Sequence, residues 1–164
     1  MISFPIIRVI TKIIIPYILL FALYVQFHGD FGPGGGFQAG VIFASAIILY
    51  ALVYGLPAAK RVAPVKVVEK LIALGLVLYA GTGFLTMLLP LSQGGESAQA
   101  NFLNYETLNH SLNHEYLPGG QHLGIFLVEL GVGITVTSVM IMIFYAFAGR
   151  EPVDQKTRKE PLGS

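Results

Sequence analysis

Glu129 is the residue whose setting most demands a chemical explanation, because apolar residues flank it on both sides. Counted from Leu123 at 1.5 Å per residue, it lies about 9 Å along a helix. An ionisable group that deep in an apolar segment is costly unless it faces water or a partner. A carboxylate there is therefore a candidate for a proton or cation route. His122, seven residues earlier, falls on the same helical face and can extend such a route. The competing reading makes Glu129 a hydrogen-bond acceptor for a neighbouring membrane protein, serving assembly alone.

The second candidate is the stretch His28-Gly29-Asp30-Phe31-Gly32-Pro33-Gly34-Gly35-Gly36-Phe37. Consecutive glycines ahead of a helix leave backbone N–H groups bare at its positive end, a seat for an anion or carboxylate. They also let the chain turn tightly and pack closely on a neighbour, which is the plainer reading. No Lys-Ser/Thr follows the glycines, so this is not a phosphate loop.

His110 and His114 stand four apart, half of a zinc site if the segment is helical. Beyond Glu106 and Glu115 no third ligand stands out, and no metal is expected. A haem held by two histidines needs them deep in facing spans, and none of the four histidines is so placed. The chain has no cysteine, no Gly-x-Ser-x-Gly and no His-Glu-x-x-His, the patterns expected of thiolate metal sites and hydrolytic enzymes. No catalytic residue and no cofactor is expected.

These residues must be positioned by a chain that water dissolves poorly. Of 164 residues 54% are hydrophobic and 12% charged, against about a quarter charged in an ordinary soluble domain. The net charge of +1 excludes the basic face of a nucleic-acid binder. A bilayer core of about 30 Å takes roughly 20 apolar residues in helix, and four segments qualify: about 6–27, 37–56, 71–91 and 123–148. Arg8 and Lys12 begin the first and can snorkel outward. Pro16 sits within it, where a membrane helix tolerates a kink. No small-x-small cleavage site follows this segment, so it is read as a span rather than a signal peptide.

All ten Lys and Arg fall at the start of the first span, between the second and third, or after the fourth. The connections 28–36 and 92–122 carry Asp30, Glu96, Glu106 and Glu115 instead. By the positive-inside rule both chain ends and the middle connection are cytoplasmic. The expectation is an all-α integral membrane protein of four transmembrane helices. Residues 1–149 form one membrane domain of two hairpins, and 150–164 a polar cytoplasmic tail. Pro33-Gly34-Gly35 and Pro118-Gly119-Gly120, each preceding an inward-running helix, admit a trace of hairpin duplication or simple chance.

Small residues mark helix contacts, because lipid offers no hydrophobic drive for association. Gly36, Gly40 and Ala44 share one face of the second span. Gly75, Tyr79, Thr82 and Thr86 share a face of the third, and Gly124 and Gly131 mark the fourth. Packing within the bundle and packing against other proteins both fit.

The run Pro33-Gly34-Gly35-Gly36-Phe37-Gln38-Ala39-Gly40 resembles the helix-opening phrase of the MnhB-type subunits of multisubunit Na+/H+ antiporters, the Mrp or Mnh family. Glu129-Leu130-Gly131-Val132-Gly133-Ile134-Thr135-Val136 is similar to that family's acidic opening of its last helix. The two landmarks and four spans cover most of the chain. His28-Gly29-Asp30-Phe31 departs from the family's usual Gly-His-Asn, and the 92–120 connection is long. Related subunits occur in membrane-bound hydrogenases and similar respiratory complexes, so the resemblance implies the module and leaves the machine open.

It implies an accessory, non-catalytic subunit in a prokaryotic cell membrane. Its partners would be other membrane subunits and the lipid bilayer, with Na+ and H+ the transported ions of the complex. A stand-alone small channel is the contrasting reading; it would need a polar path from several spans.

Overall fold

A computed structural model of the chain describes residues 5–29, 34–92, 102–103 and 120–150. The elements are α1 (Pro5–His28), α2 (Gly36–Tyr54), α3 (Leu56–Val62), α4 (Val65–Ser92) and α5 (Gly120–Ala148). Four of them, all but α3, are long and apolar enough to cross a membrane. α1 continues through Pro16. α4 and α5, with 28 and 29 residues, reach about 42 and 43 Å. Both exceed a 30 Å hydrocarbon core and must tilt or project from it.

The helices outrun the hydropathy spans, most of all α4, which starts at Val65 rather than near residue 71. Charged side chains at a membrane boundary lower hydropathy without ending a helix. The middle connection also holds the short helix α3. Gly55, at φ +91°, turns the chain sharply, and Pro57 starts α3 where a missing N–H costs nothing. Pro64 then disfavours helical backbone at Ala63 and ends it.

Side chains sort by size rather than by polarity. Ala22, Ala39, Ala44, Ala46 and Ala51 are buried, while Ile6, Leu20, Leu52, Val77 and Phe147 stand exposed. Water would drive the large residues inward. Hydrocarbon does not, so close approach of backbones decides the interior.

α5 is the central helix: α4 packs along one side of it and α2 along another, and α1 packs chiefly on α2. The Tyr54 hydroxyl donates to the Arg8 carbonyl (2.7 Å), and the Tyr145 hydroxyl donates to the Ala63 carbonyl (3.1 Å). These bonds gather the start of α1, the end of α2, α3 and the end of α5 at one end of the bundle. Arg8, Lys60, Arg61, Lys66 and Arg150 lie there, so it is termed the basic end. The α1–α2 turn marks the opposite, glycine end.

Candidate functional site: a carboxylate seated on a glycine turn

The turn into α2 is built from backbone. Gly35 adopts φ 120°, ψ 174°, a region essentially reserved for glycine. Its N–H donates to the Val25 carbonyl of α1 (3.2 Å), and its own carbonyl accepts from Ala39 N–H (3.0 Å). A Cβ on Gly34 would lie 2.7 Å from the Val25 oxygen. The turn is thus pinned against the last turns of α1.

α2 then crosses α5 at small residues. A Cβ on Gly36 would run into the backbone carbonyl of Glu129, and one on Gly40 would lie 2.8 Å from the Gly133 carbonyl. One turn further, the Thr137 hydroxyl donates to the carbonyls of Gly133 (2.7 Å) and Gly40 (3.1 Å). Each step of four along α2 meets a step of four along α5.

This crossing puts the Glu129 side chain on the turn. A Cβ on Gly29 would lie 2.6 and 2.7 Å from its two carboxylate oxygens, and one on Gly35 would lie 3.3 Å from Oε1. The half-buried carboxylate therefore fills space that two glycines leave open, beside the first turn of α2. A negative charge at a helix N-terminus is favoured by about 0.3–1 kcal/mol, and by about 2 kcal/mol in partly buried geometry. The residues alone suggested the glycine run as a carboxylate seat and Glu129 as a buried acid; the fold makes them one site.

The other expected residues are distributed around it. His28 is half-buried and stacks on Tyr24, with ring centroids 5.2 Å apart. Phe37 points outward, 64% exposed. His122 is exposed two turns nearer the start of α5, about 10 Å along the axis. Gly75 faces Gly131 across the α4–α5 interface: a Cβ on either would meet the other's carbonyl, at 2.7 and 2.9 Å. Ala44 is buried with Ala51, Ile141 and Tyr145, and Gly124 is buried on α5. Asp30, Pro33, His110 and His114 lie outside the described residues.

Two participants escaped the sequence reading. Gly133 faces α1 and α2, opposite to the face Gly131 gives α4, because two residues turn a helix by about 200°. Gln26 on α1 is 4% exposed. Its Oε1 lies 2.6 Å from where a Gly133 methyl would be, and its Nε2 is buried without a hydrogen-bond partner. A lone amide in an apolar helix was the available signal. Gln26 also borders a cavity of about 270 Å³ with Leu23, Leu130 and Thr137.

Residues 6–142 match the family described as a domain related to the MnhB subunit of Na+/H+ antiporters. The putative antiporter protein mnhB2 of Staphylococcus haemolyticus is 34% identical over 145 residues, covering 88% of this chain and 94% of its own. The corresponding Na+/H+ antiporter subunit of Alkalihalophilus pseudofirmus is 33% identical over 130 residues, covering 77% of this chain and 85% of its own. The putative mnhB2 protein of Staphylococcus epidermidis is 30% identical over 145 residues, with 88% and 94% covered. The matched region takes in the glycine turn, Glu129 and the helix contacts around them, and the chain belongs to the family of domains related to the MnhB subunit of Na+/H+ antiporters.

Proposed function

We propose that this chain is the MnhB-type subunit of a multisubunit Na+/H+ antiporter, a membrane-embedded transport component rather than an enzyme, and that Glu129 lines an ion route within the complex. The family match supports the subunit assignment. The observation that carries the Glu129 reading is its carboxylate, set beside the N-terminus of α2 in space left by Gly29 and Gly35. An ionised carboxylate is tolerable there because the helix end is positive. The same group can take up a proton or accept a cation, the elementary alternation an exchanger requires. His122 extends the route toward the start of α5.

Glu129→Gln in the whole complex tests this, since it keeps the shape and removes the charge. Exchange in everted vesicles is expected to fall by about 10²-fold, the lower range for a positioned proton-transfer group, with assembly on native gels unchanged. Normal exchange would remove the ion route and leave Glu129 a packing residue.

The basic end faces the cytoplasm on this reading, following the positive-inside rule. The chain has no cysteine, so single cysteines can be labelled without background. Glu106→Cys is expected to react with an impermeant maleimide from outside intact cells, and Lys60→Cys only after lysis. Labelling of both from one side would refute the topology.

A further inference from the structure

The basic end carries a charge imbalance that the ion route does not use. Three separate elements deliver a cation to the corner where α2 passes into α3. The Arg8 guanidinium of α1 stands 5.9 Å from the ring centre of Tyr54, the last residue of α2. The Lys60 ammonium of α3 stands 5.9 Å from the Tyr145 ring of α5. Arg150, just after α5, stands 6.0 Å from the Phe147 ring. The corner is closed by Leu56, whose Cδ2 would lie 3.7 Å from a Cβ on the adjacent Gly149.

Among the described residues none of these three cations has a carboxylate partner, and their only charge-stabilising contacts are aromatic faces. Glu69 is the single described acid on α3 or α4 at this end. α3 itself reads as an interfacial helix: Ala59 is buried toward the bundle, while Lys60 and Arg61 are exposed. Tyrosine rings and long cationic stems are the side chains that settle at headgroup depth, apolar body inward and polar tip outward. Cations without carboxylates at that depth call for an anion held at the same depth. The chemistry that supplies one is the phosphate of an anionic lipid.

We propose that Arg8, Lys60 and Arg150 seat the headgroup phosphate of one anionic phospholipid at the α2–α3 corner, fixing α3 against the membrane surface. The inference is independent of the Glu129 reading and is measured by lipid retention rather than by transport.

The test uses the whole complex, purified from vesicles of phosphatidylcholine with phosphatidylglycerol, with retained lipid counted by native mass spectrometry. The wild type is expected to retain phosphatidylglycerol in preference to phosphatidylcholine. Each of Arg8→Gln, Lys60→Gln and Arg150→Gln should weaken retention about fivefold, the worth of one basic residue near an anionic surface. The charge-preserving pair Arg8→Lys with Arg150→Lys should retain the lipid, which separates lost charge from lost folding. Equal retention by the wild type and the triple Gln variant overturns the proposal. So does displacement of the lipid by inorganic phosphate, which would make this a free-anion site. Loss of a neighbouring protein from the triple variant, with lipid retained, also overturns it and makes the corner a protein interface.

Discussion

The two ends of the bundle handle charge in opposite ways. At the glycine end one carboxylate is drawn in among backbone atoms, where Gly29, Gly35 and Gly36 have no side chains to keep it out. At the basic end Arg8, Lys60 and Arg150 reach along flexible stems and rest on aromatic rings. The first arrangement depends on distances fixed by backbone, and one methyl group is enough to disturb it. The second depends on side chains that can move by an ångström at little cost. A rigid seat suits a group whose protonation or ion contact has to be controlled. A compliant fringe suits a boundary with a fluid phase.

Gly36→Ala should erase this contrast most completely. Its methyl meets the Glu129 backbone carbonyl, and α2 and α5 have to separate. A cost of about 3 kcal/mol or more is expected, beyond the usual range of overpacking, read as loss of assembled complex and a large drop in its melting temperature. Gly133→Ala is the matched control. Its nearest obstacle is the end of the flexible Gln26 side chain rather than backbone, so about 1 kcal/mol is expected in the same melt. If the two substitutions cost the same, backbone contact is not what makes the glycine end rigid.

Smaller effects follow for hydrogen bonds between helices. Thr137→Val removes the bond to the Gly40 carbonyl and should cost about 0.6 kcal/mol, the average for such bonds in a membrane. Tyr54→Phe at the basic end removes the bond to the Arg8 carbonyl and should also cost about 0.6 kcal/mol, while leaving vesicle exchange unchanged. Gln26→Leu replaces a buried amide whose Nε2 is unpaired by an apolar group of similar size. Burying an unpaired donor is costly, so the melt should stay level or rise slightly. A drop of more than about 1 kcal/mol would show that the amide holds the α1–α5 contact through its oxygen.

Much of this molecule was legible in its residues. Four apolar segments of bilayer length, the partition of every Lys and Arg between alternate connections, and the two landmarks at Gly34-Gly35-Gly36 and Glu129 all come from the chain itself. The small residues Gly36, Gly40, Gly75 and Gly131 were recognisable as contact points, because only small side chains let membrane helices approach. Less legible was which small residue faces which helix. α2, α4 and α5 are apolar all round, so periodicity does not distinguish an interior stripe as it would on a surface helix in water.

Composition and the thickness of a bilayer were enough to set the solvent, the number of crossings and the residue types able to carry charge. Folding had to supply the rest: Glu129 rests on the glycine turn, Gly131 serves α4 while Gly133 serves α2, and α3 forms within the middle connection. These depend on how helices rotate and slide against one another, and close packing of backbones fixes that rotation at single residues far apart in the chain.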